Sequence, residues 1–100
     1  HKEESMITLV FDTPGVTAAQ YEEACRLANC SQSNVPDGLI FHSASPTDTG
    51  WLVVDVWESE EKFKAFGERL GPAMQHVGIT QHPRIYKTHN IMSGRVPATL

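Results

Sequence analysis

Short apolar runs alternate with polar punctuation along this chain, and the period of each run predicts its element. Residues 6–11 are rich in β-branched and aromatic types and stop at Asp12, Thr13, Pro14 and Gly15, the pattern of a strand followed by a turn. Thr17 opens a helix, because its hydroxyl can accept from the Gln20 amide while the Gln20 side chain reaches back. Val16 and Tyr21 are spaced for a hydrophobic staple at the same end. Tyr21, Ala24, Cys25 and Ala28 follow the spacing of one apolar helix face, with Glu22, Glu23 and Arg26 off it. Residues 29–38 are polar and broken by Pro36 and Gly38, hence a loop.

Residues 39–44 read as a second strand, 46–50 as a turn and 51–57 as a third strand, so the two strands form an antiparallel hairpin. Ser59 caps a second helix with Glu60 and Glu61 in its first turn, where the helix dipole favours anions. Phe63, Phe66, Leu70, Met74 and Val77 keep one face of it. Gly71 and Pro72 interrupt that run and predict a kink or a restart. Gly78 suits the position just past the helix end. Residues 84–92 read as a fourth strand. The order β-α-β-β-α-β predicts a ferredoxin-like α+β domain, an antiparallel sheet with two helices on one face.

The strands carry apolar residues on both faces. In the third strand Leu52, Val54 and Val56 oppose Trp51, Val53, Asp55 and Trp57; in the second, Leu39, Phe41 and Ser43 oppose Ile40, His42 and Ala44. Two helices cover one sheet face only, so the other would expose a large apolar patch, and such patches usually mark interfaces or ligand grooves. A homodimer with two sheets face to face is the expected solution.

Composition narrows the class. One hundred residues suit one domain, here 6–92. No window approaches the roughly 20 apolar residues of a membrane span. The formal charge of −4 argues against a nucleic-acid partner, which would call for a basic stripe. Residues 1–5 lack the apolar region of a signal peptide and read as a native arm or an expression remnant. Residues 93–100 read as a tail, or as an arm crossing onto a partner subunit. The two cysteines, Cys25 and Cys30, lie five apart. On one helix they would diverge by about 140° around the axis, too far for easy bridging. They read as free thiols of a cytoplasmic protein.

The sequences Gly38 to Ala44 and Gly50 to Ser59, followed by Phe63 and Phe66, resemble the dimeric α/β-barrel superfamily. More closely they are similar to small bacterial proteins grouped with the antibiotic biosynthesis monooxygenases. The step Trp57, Glu58, Ser59 from strand to helix carries most of the resemblance. It implies a dimer with a small-molecule cavity between sheet and helices. The superfamily includes cofactor-independent oxygenases of polycyclic aromatic substrates, haem-degrading monooxygenases and lactone isomerases. The haem-degrading branch carries an Asn on the first strand, a Trp on the second helix and an iron-ligating His ten residues after it. Here His76 follows Phe66 by ten residues, the Trp position holds Phe66 and the first strand has no Asn. Two of three elements are absent.

Several residues could carry chemistry. His42, in the middle of the second strand, is either a core histidine held by hydrogen bonds or a pocket base. Asp55 is costly on a strand face unless paired, and hairpin neighbours could bring His42 or Ser43 to it. An Asp55–His42 pair would fix a tautomer and raise basicity. His76 is the second candidate base, and His89 and Asn90 end the predicted fourth strand. Phe41, Trp57 and Phe66, with Trp51 and Phe63, are core aromatics, part of which can line a pocket for a flat apolar ligand. No HxH, HxxxH or CxxC spacing predicts a metal site, and no glycine-rich phosphate loop predicts a nucleotide cofactor.

The expected function is a small-molecule enzyme without a cofactor. His42 or His76, with Asp55, would remove a proton from an aromatic or enolisable substrate held by Phe41, Trp57, Phe66 and His89. Oxygenation or isomerisation would follow. The alternative is a non-catalytic protein that holds a hydrophobic metabolite, and below it a haem-binding protein through His76.

Overall fold

A computed structural model describes residues 5–97. Its elements are β1 (Ile7–Pro14), α1 (Ala18–Leu27), β2 (Leu39–Pro46), β3 (Gly50–Trp57), α2 (Glu60–His76) and β4 (Arg84–Lys87). The strands form one antiparallel sheet in the order β2-β3-β1-β4. This is the ferredoxin-like arrangement, in which β3 separates the two strands that α1 connects. Residues 1–4 and 98–100, most of the expected arm and the end of the expected tail, lie outside the described residues. Among the described residues no helix is long and apolar enough to cross a membrane.

Local sequence accounts for the helix ends. Thr17 makes the reciprocal capping box, its Oγ1 accepting from the Gln20 amide at 3.2 Å and its own amide donating to Gln20 Oε1 at 2.9 Å. Ser59 Oγ accepts from the Lys62 amide at 3.2 Å at the start of α2. Gly78, in the left-handed region at φ 84°, ends α2 with paired bonds back to Met74 and Gln75. Gly50 admits no side chain, since a Cβ there would collide with the Thr13 carbonyl and the Gly15 amide.

One face of the sheet supports the core. Ile7, Leu9, Phe11 and Thr13 of β1 are buried, and the register sets them against Trp57, Asp55, Val53 and Trp51 of β3. Ala28, Phe66 and Ala73 close over this face from the helices. Trp57 and Leu9 are the largest fully buried side chains, each worth roughly 1.5–3 kcal/mol of apolar burial. On the opposite face Val56 is flanked in register by Thr8 and Phe41, beside Val10, Val54 and Leu52. Phe41 and Tyr86 of the edge strands are half exposed there.

Three expectations need correction. The second helix does not restart at Pro72; α2 is a single helix through His76. Its buried residues Phe66 and Ala73 flank the proline, which lies on the exposed side, where water can satisfy the carbonyl it frees. The fourth strand ends at Lys87 rather than at 92, because β1 begins at Ile7 and offers it no longer partner. His89 and Asn90 therefore fall outside the sheet. Finally, a bulge between Leu39 and Phe41 breaks the alternation of β2. Leu39, opposite Trp57, joins His42 and Ala44 on the helix side, while Phe41 opposes Val56.

Leu9→Ala should destabilise the fold by about 2–5 kcal/mol, measured by urea unfolding followed through tryptophan fluorescence.

Candidate active site

α1 packs chiefly against α2 and stands off the sheet, leaving a cavity of about 1020 Å³ that opens to solvent. Its walls come from β1 to β3, the inner side of α1, the 30–36 loop and α2, and they are mostly apolar: Phe11, Val53, Trp57, Phe66, Leu70 and Met74 among them. One wall carries polar groups in a connected row.

The row starts at Asp55, which β3 places on the buried face opposite Leu9 and directly across the hairpin from His42. Asp55 is 7% exposed, and a carboxylate so placed must be paired. Both of its oxygens are. Oδ1 accepts from His42 Nδ1 at 2.6 Å, and Oδ2 accepts from the buried Trp57 Nε1 at 3.1 Å. The other imidazole nitrogen of His42, Nε2, lies 2.5 Å from the Tyr21 hydroxyl, which reaches across from α1. The Tyr21 and His42 rings are nearly parallel, at 9°, and the Tyr21 ring also packs on Trp51 with centroids 5.2 Å apart.

The protonation states follow from these contacts. Burial, then the neighbouring Cys25, pushes the Tyr21 pKa well above the ordinary phenol value, so the hydroxyl keeps its proton and donates it to Nε2. His42 is then the Nδ1–H tautomer, donating to Asp55. The hydrogen bond with Asp55 raises the His42 pKa above its ordinary 6.5, while burial works against the shift. The arrangement is an oriented imidazole of raised basicity at the wall of an apolar cavity.

The predicted site residues separate cleanly. His42, Asp55, Trp57 and Phe66 all line the cavity. Phe41 borders it from the edge strand, while its register partner Val56 belongs to the other face. His76 does not reach it. This residue is exposed at the end of α2, beside a separate cleft of about 260 Å³ formed with Leu27, Arg69, Pro72 and Ala73. His89 is exposed beyond β4 and is no part of the wall. Among the described residues no group of three His, Cys, Asp or Glu side chains could hold a metal.

Tyr21, Cys25 and Cys30 also line the cavity and were not singled out by sequence pattern. Tyr21 and Cys25, one turn apart on the apolar face, look like core residues until the gap beneath α1 is known. Cys30 is not on the helix, contrary to the expected divergence from Cys25. α1 ends at Leu27, and Asn29 takes the left-handed conformation at φ 56°. Amide bonds from Asn29 to the Arg26 carbonyl and from Cys30 to the Cys25 carbonyl complete the turn and fold Cys30 back. An Asn at that position is the sequence signal for such a turn.

No family model matches the chain, and no curated protein matches it in sequence. Solved structures match its fold. One is SnoaB, a cofactor-independent oxygenase from Streptomyces nogalater, 11% identical, with a TM-score of 0.62 over 92% of this chain and 100% of that one. Another, from Chloroflexus aurantiacus, is assigned to the antibiotic biosynthesis monooxygenases; it is 14% identical, with a TM-score of 0.63 over 89% of this chain and 98% of that one. A third, from Caulobacter crescentus and assigned likewise, is 20% identical, with a TM-score of 0.58 over 89% of this chain and 92% of that one. The chain thus has the fold of the antibiotic biosynthesis monooxygenase-like proteins, the fold implied by its hairpin residues.

The raised pKa fixes the sign of a pH effect. The His42–Asp55 contribution to stability should be complete below the ordinary pKa of 6.5 and fall as pH rises through the higher folded value. An NMR titration of the His42 imidazole should give a midpoint above 6.5. In Asp55→Asn the midpoint should drop, because burial then acts without the carboxylate.

Proposed function

We propose that this protein is a cofactor-independent enzyme acting on a flat, largely apolar substrate with an acidic phenolic or enolic proton. The observation that carries this reading is the Asp55–His42–Tyr21 row in the wall of an apolar cavity. A substrate ring packs against the half-buried Val53, Leu70 and Met74 of the apolar wall, and its acidic group approaches Tyr21 and His42. The substrate proton passes to His42 Nε2, either in place of the Tyr21 proton or through the Tyr21 hydroxyl, which gives its own to Nε2 as it receives one. Asp55 stabilises the imidazolium so formed. The substrate anion is electron-rich. In oxygenation it adds dioxygen as a hydroperoxide, one oxygen atom stays as a carbonyl and the other leaves as water. In isomerisation the same anion takes its proton back at a different carbon. Fold likeness to SnoaB supports the first outcome.

One observation favours a second reading. Tyr21 already occupies His42 Nε2, so the row can be a structural tie between α1 and the sheet, in a protein that holds a hydrophobic metabolite without converting it.

The exposed apolar side of the sheet belongs to the same reading, as the contact between two copies of this chain, sheet to sheet. Val10, Leu52, Val54 and Phe41 supply its apolar surface.

Two measurements test these statements. Oxygen uptake with a panel of anthrone- or naphthol-type phenols should fall by about 10²–10⁴-fold in His42→Gln and Asp55→Asn. Tight binding of the same compounds with no turnover by the unaltered protein would establish the second reading instead. Analytical ultracentrifugation should give the dimer mass, and Val54→Lys should give the monomer; a monomeric unaltered protein overturns the sheet-to-sheet contact.

A further inference from the structure

Cys25 and Cys30 are free thiols, both half-buried, and both line the cavity. The turn that ends α1 brings them together. The Cys30 amide donates to the Cys25 carbonyl at 3.1 Å and the Cys30 thiol approaches the same oxygen at 3.8 Å. With standard backbone dimensions the two Cα atoms are then no more than about 7 Å apart. That separation borders the range that a disulfide spans. Cys25 also stands one helical turn from Tyr21.

We propose that Cys25 and Cys30 form a peroxide-reactive dithiol built into the cavity wall, with Cys25 as the attacking sulfur and Cys30 as the resolving one. The two thiols are not equivalent. The neighbouring Cys30 thiol holds the Cys25 pKa down, at about 6, whereas the neighbouring Cys25, together with burial, raises that of Cys30. The proton shared by the pair therefore rests on Cys30 and the thiolate on Cys25. Four neighbours of the pair are ionisable: Tyr21, His42, Asp55 and, toward Cys30, Arg69.

The chemistry balances with a hydroperoxide as oxidant. The Cys25 thiolate attacks one peroxide oxygen, forming an S–O bond as the O–O bond breaks. The sulfur is oxidised to a sulfenic acid, and the peroxide is reduced to an alkoxide or hydroxide that takes up a proton from solvent. The Cys30 sulfur then attacks the sulfenic sulfur. An S–S bond forms, the S–O bond breaks, and the departing hydroxide leaves as water with the proton of the Cys30 thiol. A dithiol reductant returns the pair to its starting state. This inference rests on the helix-end geometry and does not require the proposed oxygenation to be correct.

Hydrogen peroxide on the full chain, followed by intact mass and peptide mapping, is the test. The expected product is an intramolecular Cys25–Cys30 disulfide, a loss of two hydrogens reversed by dithiothreitol. Cys30→Ser should instead trap a dimedone-reactive sulfenic acid on Cys25, and Cys25→Ser should resist the same dose. Iodoacetamide at neutral pH should alkylate Cys25 at least about tenfold faster than Cys30. An unaltered protein that keeps both thiols, or is oxidised separately at each, overturns the proposal, as does preferential alkylation of Cys30.

Discussion

A carboxylate in the middle of a buried sheet face is among the most costly groups a small protein can leave unpaired, and Asp55 is such a group. Its two oxygens are taken by His42 and Trp57, and that pair of bonds organises much else. Trp57 is the largest fully buried side chain, so the indole that anchors the core is also held at its polar edge. His42 lies directly across the hairpin, so the strand register is tied to the same carboxylate. A slip of β2 by one residue would turn His42 to the far face and strand the charge. Core, register and site share one interaction.

The second constraint is the position of α1. A helix that rests on its neighbour instead of on the sheet leaves volume, and here that volume is large for the size of the chain. Tyr21 spans the gap from α1 to His42. The cavity wall therefore mixes two chemistries, apolar side chains and the polar groups of Tyr21, His42 and the two cysteines. A ligand that fills it would restore dispersion contacts that the empty wall lacks and would stabilise the native state by mass action.

Much of this was legible in particular residues. Thr17 with Gln20 and Ser59 with its acidic followers announced both helices by local capping chemistry, which needs no distant partner. The hairpin turn set β2 against β3 and narrowed the partner of Asp55 to His42 or Ser43; the register makes it His42. The signals that misled were of the same local kind. The spacing from Phe66 to His76 fitted a ligand pattern, yet the C-terminal end of α2 carries His76 out to solvent. The stretch from Arg84 to Met92 promised a long strand, but strand length depends on how much of β1 is left to pair with.

The sequence by itself determined the order of elements, the capping of both helices and the need of Asp55 for a partner from β2, because each depends on residues close in the chain or joined by one turn. Tertiary structure decided the rest. The bulge that moves Leu39 to the helix side, the gap under α1 and the return of Cys30 toward Cys25 depend on how finished elements pack. Packing is a property of volumes and of competing partners across the fold, and no local pattern of residue types records it.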